Sequence, residues 1–115
     1  MHYEGSCHCG AVRFEADLDL SRPITCNCSY CSRRGSILVF TPADNFTLKT
    51  GEEKLTEYRF NTKTIQHLFC STCGMESFAR GRMPDGTRMV AVNVRCLEGV
   101  DPDGLQTTRY DGRAK

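Results

Sequence analysis

The sequence predicts a mainly β fold, built from short antiparallel sheets in a single domain spanning residues 1–115. Three observations predict it. Short runs of strand-forming residues alternate apolar and polar side chains and are bounded by turn residues. No apolar pattern of helical period outlasts one turn. Seven of the eight cysteines gather in three tight clusters among those segments, where they can cross-link a modest core.

Taken in order, Gly10–Ala16 alternates as a half-buried strand does. Ile37–Thr41 is a short apolar strand stopped by Pro42, whose ring cannot donate to a ladder. Phe46–Lys49 alternates and runs into a turn at Thr50–Glu53, and Leu55–Phe60 alternates weakly. Thr64–Phe69 leads into a cysteine cluster, and Glu76–Arg80 reads as another short strand. Asp85-Gly86 is a hairpin turn, followed by a buried strand at Met89–Val94. Single helical turns fit only Ser29–Arg34 and Pro42–Asn45. The tail, Asp101–Lys115, carries Gly, Asp and Arg with little apolar content, and is expected to be extended or poorly ordered.

Size and charge narrow the function. A chain of 115 residues makes one domain and not two. Chains of this size bury roughly 65% of their unfolded surface. With 39% apolar residues and no Trp, the core is modest. Fifteen basic and 14 acidic residues give a net charge of +1, which calls for neither nucleic acid nor an anionic membrane. No apolar run approaches the ~20 residues of a membrane span. Met1–Ser6 lacks the basic-then-apolar pattern of an export signal, so a cytoplasmic, reducing setting is expected.

The clusters are Cys7-His8-Cys9, Cys26-Asn27-Cys28-Ser29-Tyr30-Cys31 and Cys70-Ser71-Thr72-Cys73. Cys70 and Cys73 have the spacing of a zinc knuckle, with Gly74 free to turn the chain afterwards. They need two more ligands, and Cys7 and Cys9, again followed by a glycine, can supply them. Together these make a closed, structural four-thiolate zinc site. Cys26, Cys28 and Cys31 put three thiols in six residues, leaving one tetrahedral position free, as a catalytic zinc requires. Two other readings stand beside that one: a fourth protein ligand closes the site, or the thiols stay metal-free. A disulfide framework is the competing account of the whole cysteine set, and a redox dithiol that of Cys70 and Cys73.

Candidate fourth ligands are His67, His8 and Cys96. The simplest reading makes His67 a half-exposed strand residue, His8 a solvated one and Cys96 a small buried apolar group. Ser29, Arg33, Arg34, Phe40 and His67 are candidate substrate contacts. The two arginines could pair with a carboxylate or be solvated loop charges. Phe40 and Tyr30 could wall a pocket or fill the core.

The segments Gly5–Phe14, Cys26–Cys31, Phe69–Gly74 and Val92–Asp101, in this order, resemble the glutathione-dependent formaldehyde-activating enzyme family, to which centromere protein V is also related. The resemblance implies an Mss4-like β-tent fold. It implies a structural zinc on Cys7, Cys9, Cys70 and Cys73, and an active-site zinc on Cys26, Cys28 and Cys31. It also implies carbon–sulfur lyase chemistry joining glutathione and formaldehyde to S-hydroxymethylglutathione, or the same chemistry on another small aldehyde or thiol. A non-enzymatic zinc module that carries a thiol ligand or binds a protein partner is the alternative.

Overall fold

A computed structural model of the chain describes residues 1–60 and 65–112. Among the described residues there are ten strands: β1 (His2–Ser6), β2 (Arg13–Asp17), β3 (Ile24–Cys26), β4 (Leu38–Pro42), β5 (Phe46–Thr50), β6 (Leu55–Tyr58), β7 (Gln66–Cys70), β8 (Phe78–Arg82), β9 (Arg88–Asn93) and β10 (Thr108–Tyr110). One helical turn, α1 (Cys31–Arg34), follows β3. The strands form a three-stranded sheet, β1-β2-β5, and a seven-stranded sheet, β10-β3-β4-β9-β8-β7-β6.

The expected architecture is present: mainly β, with short antiparallel pairings. All the strand pairs are antiparallel but one, the parallel pair β10–β3. The core lies between the sheets. Phe14 of β2 stacks on Phe46 of β5 at 5.3 Å, and Phe46 meets Phe78 of β8 at 4.7 Å. Val12, Val90, Val92 and Val94 are almost fully buried around them. Truncating Phe14 or Phe78 to Ala would cost about 3–5 kcal/mol, since a cavity would open where two sheets meet.

The sequence-predicted strands all exist, with shifted ends. Gly10–Val12 is a turn and not the start of β2: the Cys7 amide bonds to the Val12 carbonyl at 3.0 Å, folding the chain back before the strand begins. Glu76 and Ser77 precede β8 and do not belong to it. Thr64 lies outside the described residues. Both single turns form, at Cys31–Arg34 and as a 3-10 turn at Ala43–Asn45.

Three strands are absent from the sequence reading. β1 (His2-Tyr3-Glu4-Gly5-Ser6) carries a single large apolar side chain and β3 is only three residues long, so neither shows an alternating pattern on its own. β10 corrects the expectation for the tail. A 3-10 turn at Pro102–Gly104, capped by the Asp101 carboxylate, redirects the chain so that Thr108, Arg109 and Tyr110 pair with Ile24, Thr25 and Cys26. All three β10 residues are exposed, so the strand is held by backbone ladder bonds and leaves no apolar signature.

Candidate metal centres and active site

The N-terminal thiols and the β7 thiols come together through two matching turns. Gly10 donates to the Cys7 carbonyl at 3.2 Å and Gly74 to that of Cys70 at 2.8 Å. Both glycines take positive φ, 82° and 79°, a conformation that side chains with a Cβ resist. The four sulfurs of Cys7, Cys9, Cys70 and Cys73 lie within 4.8 Å of one another, with Cys7–Cys9 at 3.7 Å and Cys9–Cys70 at 3.6 Å. Four sulfurs held ~2.3 Å from one tetrahedral ion have edges of about 3.8 Å, so the spacing fits such an ion. Cys7 and Cys70 are 2% and 0% exposed, placing the site on the core.

The four thiols bias one another's ionisation. Burial raises the Cys73 thiol, but the amides of Cys9 and Met75 and the Cys7 and Cys70 thiols outweigh it and bring it down to about 6. Cys70 is also lowered, chiefly by the Cys73 amide. The Ala11 amide lowers Cys9, but burial and the thiols of Cys70, Cys7 and Cys73 together push it up to about 11. Thiolates crowded this closely repel further ionisation, and a bound cation would offset that repulsion.

The second set is built on one local segment. Cys26 ends β3, Cys28 sits in the following loop and Cys31 opens α1. Backbone amides aim at the sulfurs: Cys28 N at 3.5 Å from Cys26 Sγ, and Cys31 N at 3.3 Å from Cys28 Sγ. The three sulfurs lie within 4.8 Å of one another, and among the described residues no carboxylate or imidazole joins them. Burial raises Cys28, yet the amide and thiol of Cys31, the Tyr30 amide and the Cys26 thiol bring it below its ordinary value. Burial first, then Cys28, drives the Cys31 thiol far above its own. Cys28 thus ionises before Cys31.

A cavity of about 420 Å³ opens on Cys26 and Cys31. Thr25, Ser32, Ser36 and Thr107 line it, with one cation, Arg95, and one carboxylate, Asp103. The tail walls the other side of the cluster. Asn27 ties the loop to it: its backbone N–H donates to the Tyr110 carbonyl at 3.2 Å, and its side-chain amide donates to the Asp111 carboxylate at 2.9 Å. Gly112 then passes so close that a Cβ would lie 2.5 Å from Cys26 Sγ and 3.3 Å from Cys28 Cβ.

The model of the glutathione-dependent formaldehyde-activating enzyme family matches residues 2–109. The chain belongs to that family. A protein from Rhodobacter sphaeroides of known crystal structure, a structural-genomics target, is 36% identical and superposes with a TM-score of 0.82, covering 93% of this chain and 99% of that one.

In this family member the loop of the second cluster is bolted to the first. Tyr30 donates its hydroxyl to Glu76, and Glu76 also faces His67 Nδ1 at 3.2 Å. His67 is 6% exposed and so is Glu76, which corrects the expectation of a half-exposed strand histidine. His67 is buried because Tyr30 covers it, ring centroids 4.3 Å apart, with Phe60 at 5.2 Å. Burial, and then the Glu76 carboxylate, raise the Tyr30 hydroxyl far above its ordinary value, so it stays a donor. Arg34 donates to the Gly74 carbonyl at 2.9 Å and stacks on Tyr30 and Phe69. Arg33 donates to the Ser29 carbonyl at 2.6 Å. Both arginines therefore brace their own loop.

The remaining candidates are placed as follows. Phe40 is 53% exposed, and the register Phe40↔Ala91↔Ala79↔His67↔Tyr58 sets it on the same sheet face as His67. Three inter-strand steps of ~4.8 Å put Phe40 roughly 14 Å from His67 across an alanine floor. Ser29 is exposed in the loop. His8 is exposed, as expected. Cys96 is half-buried beside the Glu76 carbonyl, 4.0 Å away, and burial raises its thiol. None of His67, His8 and Cys96 joins the three-thiol set. All eight cysteines are free thiols, so the disulfide framework is not the arrangement adopted. Glu76, Asn27, Asp111 and Gly112 were not singled out in the sequence. Asn27 carried one usable signal, its place between two cysteines.

Proposed function

We propose that the chain is an enzyme that joins a glutathione-like thiol to formaldehyde or another small aldehyde, a carbon–sulfur lyase run in the direction of addition, at Cys26, Cys28 and Cys31. The observation that carries this reading is an open donor set: three sulfurs within 4.8 Å, no fourth described donor, and a cavity of about 420 Å³ beside them. Zinc is the ion proposed for both sites, structural at the first and active at the second. At the second site it would hold a bound thiol as thiolate near neutral pH.

The protein's residues do the rest. The cavity hydroxyls and Arg95 suit the amides and carboxylates of a peptide thiol. Arg95 is already oriented, its Nε bonded to the Gly35 carbonyl at 3.1 Å. Of the residues expected to touch substrate, Ser29, Arg33, Arg34, Phe40 and His67, none is among those lining this cavity; Arg33 and Arg34 hold the loop that carries Cys28 and Cys31. In the reaction the thiol sulfur forms a bond to the aldehyde carbon, the carbonyl π pair moves to oxygen, and the proton released by the thiol ends on that oxygen. The product is the S-hydroxyalkyl thioether, and no redox partner is needed. Reactive free thiols fit a reducing, cytoplasmic setting, and no helix among the described residues is long and apolar enough to cross a membrane.

The test is exchange NMR on glutathione and formaldehyde with and without the metal-loaded protein. Interconversion with the hydroxymethyl adduct should run faster than the uncatalysed reaction, and Cys28→Ser should abolish the gain. No acceleration with a filled second site would leave a module that holds a thiol without turning it over.

A further inference from the structure

A second cleft, of about 970 Å³, opens between the sheets where β8 turns into β9. It is distant from the three-thiol cluster. Asn93, at the cluster end of β9, is five residues from Arg88 at the cleft end, and five residues of strand span roughly 17 Å. One wall is apolar, formed by Phe46 and Leu48 of β5 and Val90 of β9. Four arginines, Arg59, Arg80, Arg82 and Arg88, line the remainder, and no Asp or Glu is among the lining residues.

Two of these arginines have counter-charges. Arg59 pairs with Glu57 at 2.6 Å, and Arg80 with Glu52 at 3.6 Å while lying over the Phe78 ring. Arg82 and Arg88 have none among the described residues. They are also direct cross-strand partners on β8 and β9. Like charges placed directly opposite on a sheet destabilise it, and nothing in the fold requires this pair. Two arginines at directly paired strand positions, lining a cleft with an apolar wall, match a ligand with an anionic head and an apolar body, since the planar fork binds carboxylate or phosphate with two hydrogen bonds.

We propose that this cleft is a binding site for a small organic anion, its phosphate or carboxylate held between Arg82 and Arg88 and its apolar part laid against Phe46, Leu48 and Val90. The site is separate from the thiol chemistry and would take a different ligand. Because it is exposed, binding weakens as salt rises.

Phenyl phosphate and benzoate are suitable probes, titrated by calorimetry into the metal-loaded protein at fixed ionic strength. At least one should bind saturably, and R82Q/R88Q should weaken it at least tenfold. The tighter probe identifies the head group. Equal affinity in the variant, or no saturable binding of either probe, would overturn the proposal. A second measurement is independent of the ligand: without anion, R82Q and R88Q should each melt at or above the parent temperature, because a like-charge pair is relieved. Lower melting would mean that the arginines serve the fold, and would also overturn it.

Discussion

The two thiol clusters use the same atoms in opposite settings. Cys7 and Cys70 are 2% and 0% exposed and belong to the hydrophobic core, while Cys73 is half-buried and Cys9 exposed; the four come from two distant segments, so whatever binds there ties those segments together. Cys26, Cys28 and Cys31 are half-exposed, come from one short segment, and lie between a solvent-open cavity and the last described residues of the tail. A site made by distant segments staples them. A site made by a single segment staples nothing, and can give up a coordination position. The difference predicts which substitutions destroy the protein and which only silence it.

The largest effect should follow Cys70→Ser. Structural zinc contributes on the order of 10–16 kcal/mol of apparent binding energy, as much as or more than the ~5–15 kcal/mol net stability of a typical domain. The variant, or the parent protein treated with a strong chelator, should lose its cooperative thermal transition by circular dichroism. A soluble variant with an unchanged melt would refute the staple.

Cys28→Ser should do the reverse. Metal analysis should fall from two ions per chain to one, with the melting temperature within a few degrees of the parent, because no core residue changes. Turnover of the glutathione–formaldehyde adduct should drop at least 100-fold, to the uncatalysed rate. Loss of both ions would show that the clusters are not independent.

Acid should separate the sites in the same order. Protons compete with metal for thiolates, so affinity at both falls with pH. Each set has one thiol raised, Cys9 or Cys31, but the first has four sulfurs and holds Cys73 down at about 6. On stepwise acidification the first ion released should come from the three-thiol set, detected as loss of turnover before loss of fold.

The contrast between the clusters was largely legible in the sequence, and its structural setting was not. Cysteine spacing reports local geometry, and both groupings follow from it. Alternation reports a half-buried face, so β2, β4, β5 and β9 were visible. β10 was not, because an exposed strand held by a parallel backbone ladder has no apolar period. The same blindness hid Gly112: its role comes from a contact with Cys26, 86 positions away. Glu76 was hidden because a lone carboxylate becomes informative only when Tyr30 and His67 are brought onto it.

Gly112→Val tests how far the tail completes the second site. The added Cβ would sit 2.5 Å from Cys26 Sγ, so either the sulfur or the tail must move. Displacing groups that flank metal ligands typically costs 10–100-fold in affinity. The second ion should bind that much more weakly in competition with a chromophoric chelator, with the first ion unaffected. Unchanged affinity would mean that the tail lies beside the site without shaping it.

Tyr30→Phe should have the smallest effect and gives the finest test of the link between the two clusters. The ring and its contacts with Tyr58, Phe60 and His67 are kept, and only the hydroxyl to Glu76 is lost. A buried acceptor deprived of a partner costs about 1–3 kcal/mol. The melting temperature should fall by several degrees, and the second ion should bind more weakly, because the loop carrying Cys28 and Cys31 loses its anchor. Glu76→Gln should cost a similar amount, since its side chain keeps an oxygen for His67 but loses the charge. If the hydroxyl acts through Glu76, the two changes will be less than additive: the double variant has no buried carboxylate left to satisfy. Strict additivity would show that Tyr30 holds the loop by ring stacking alone, and that the hydroxyl–carboxylate bond couples nothing.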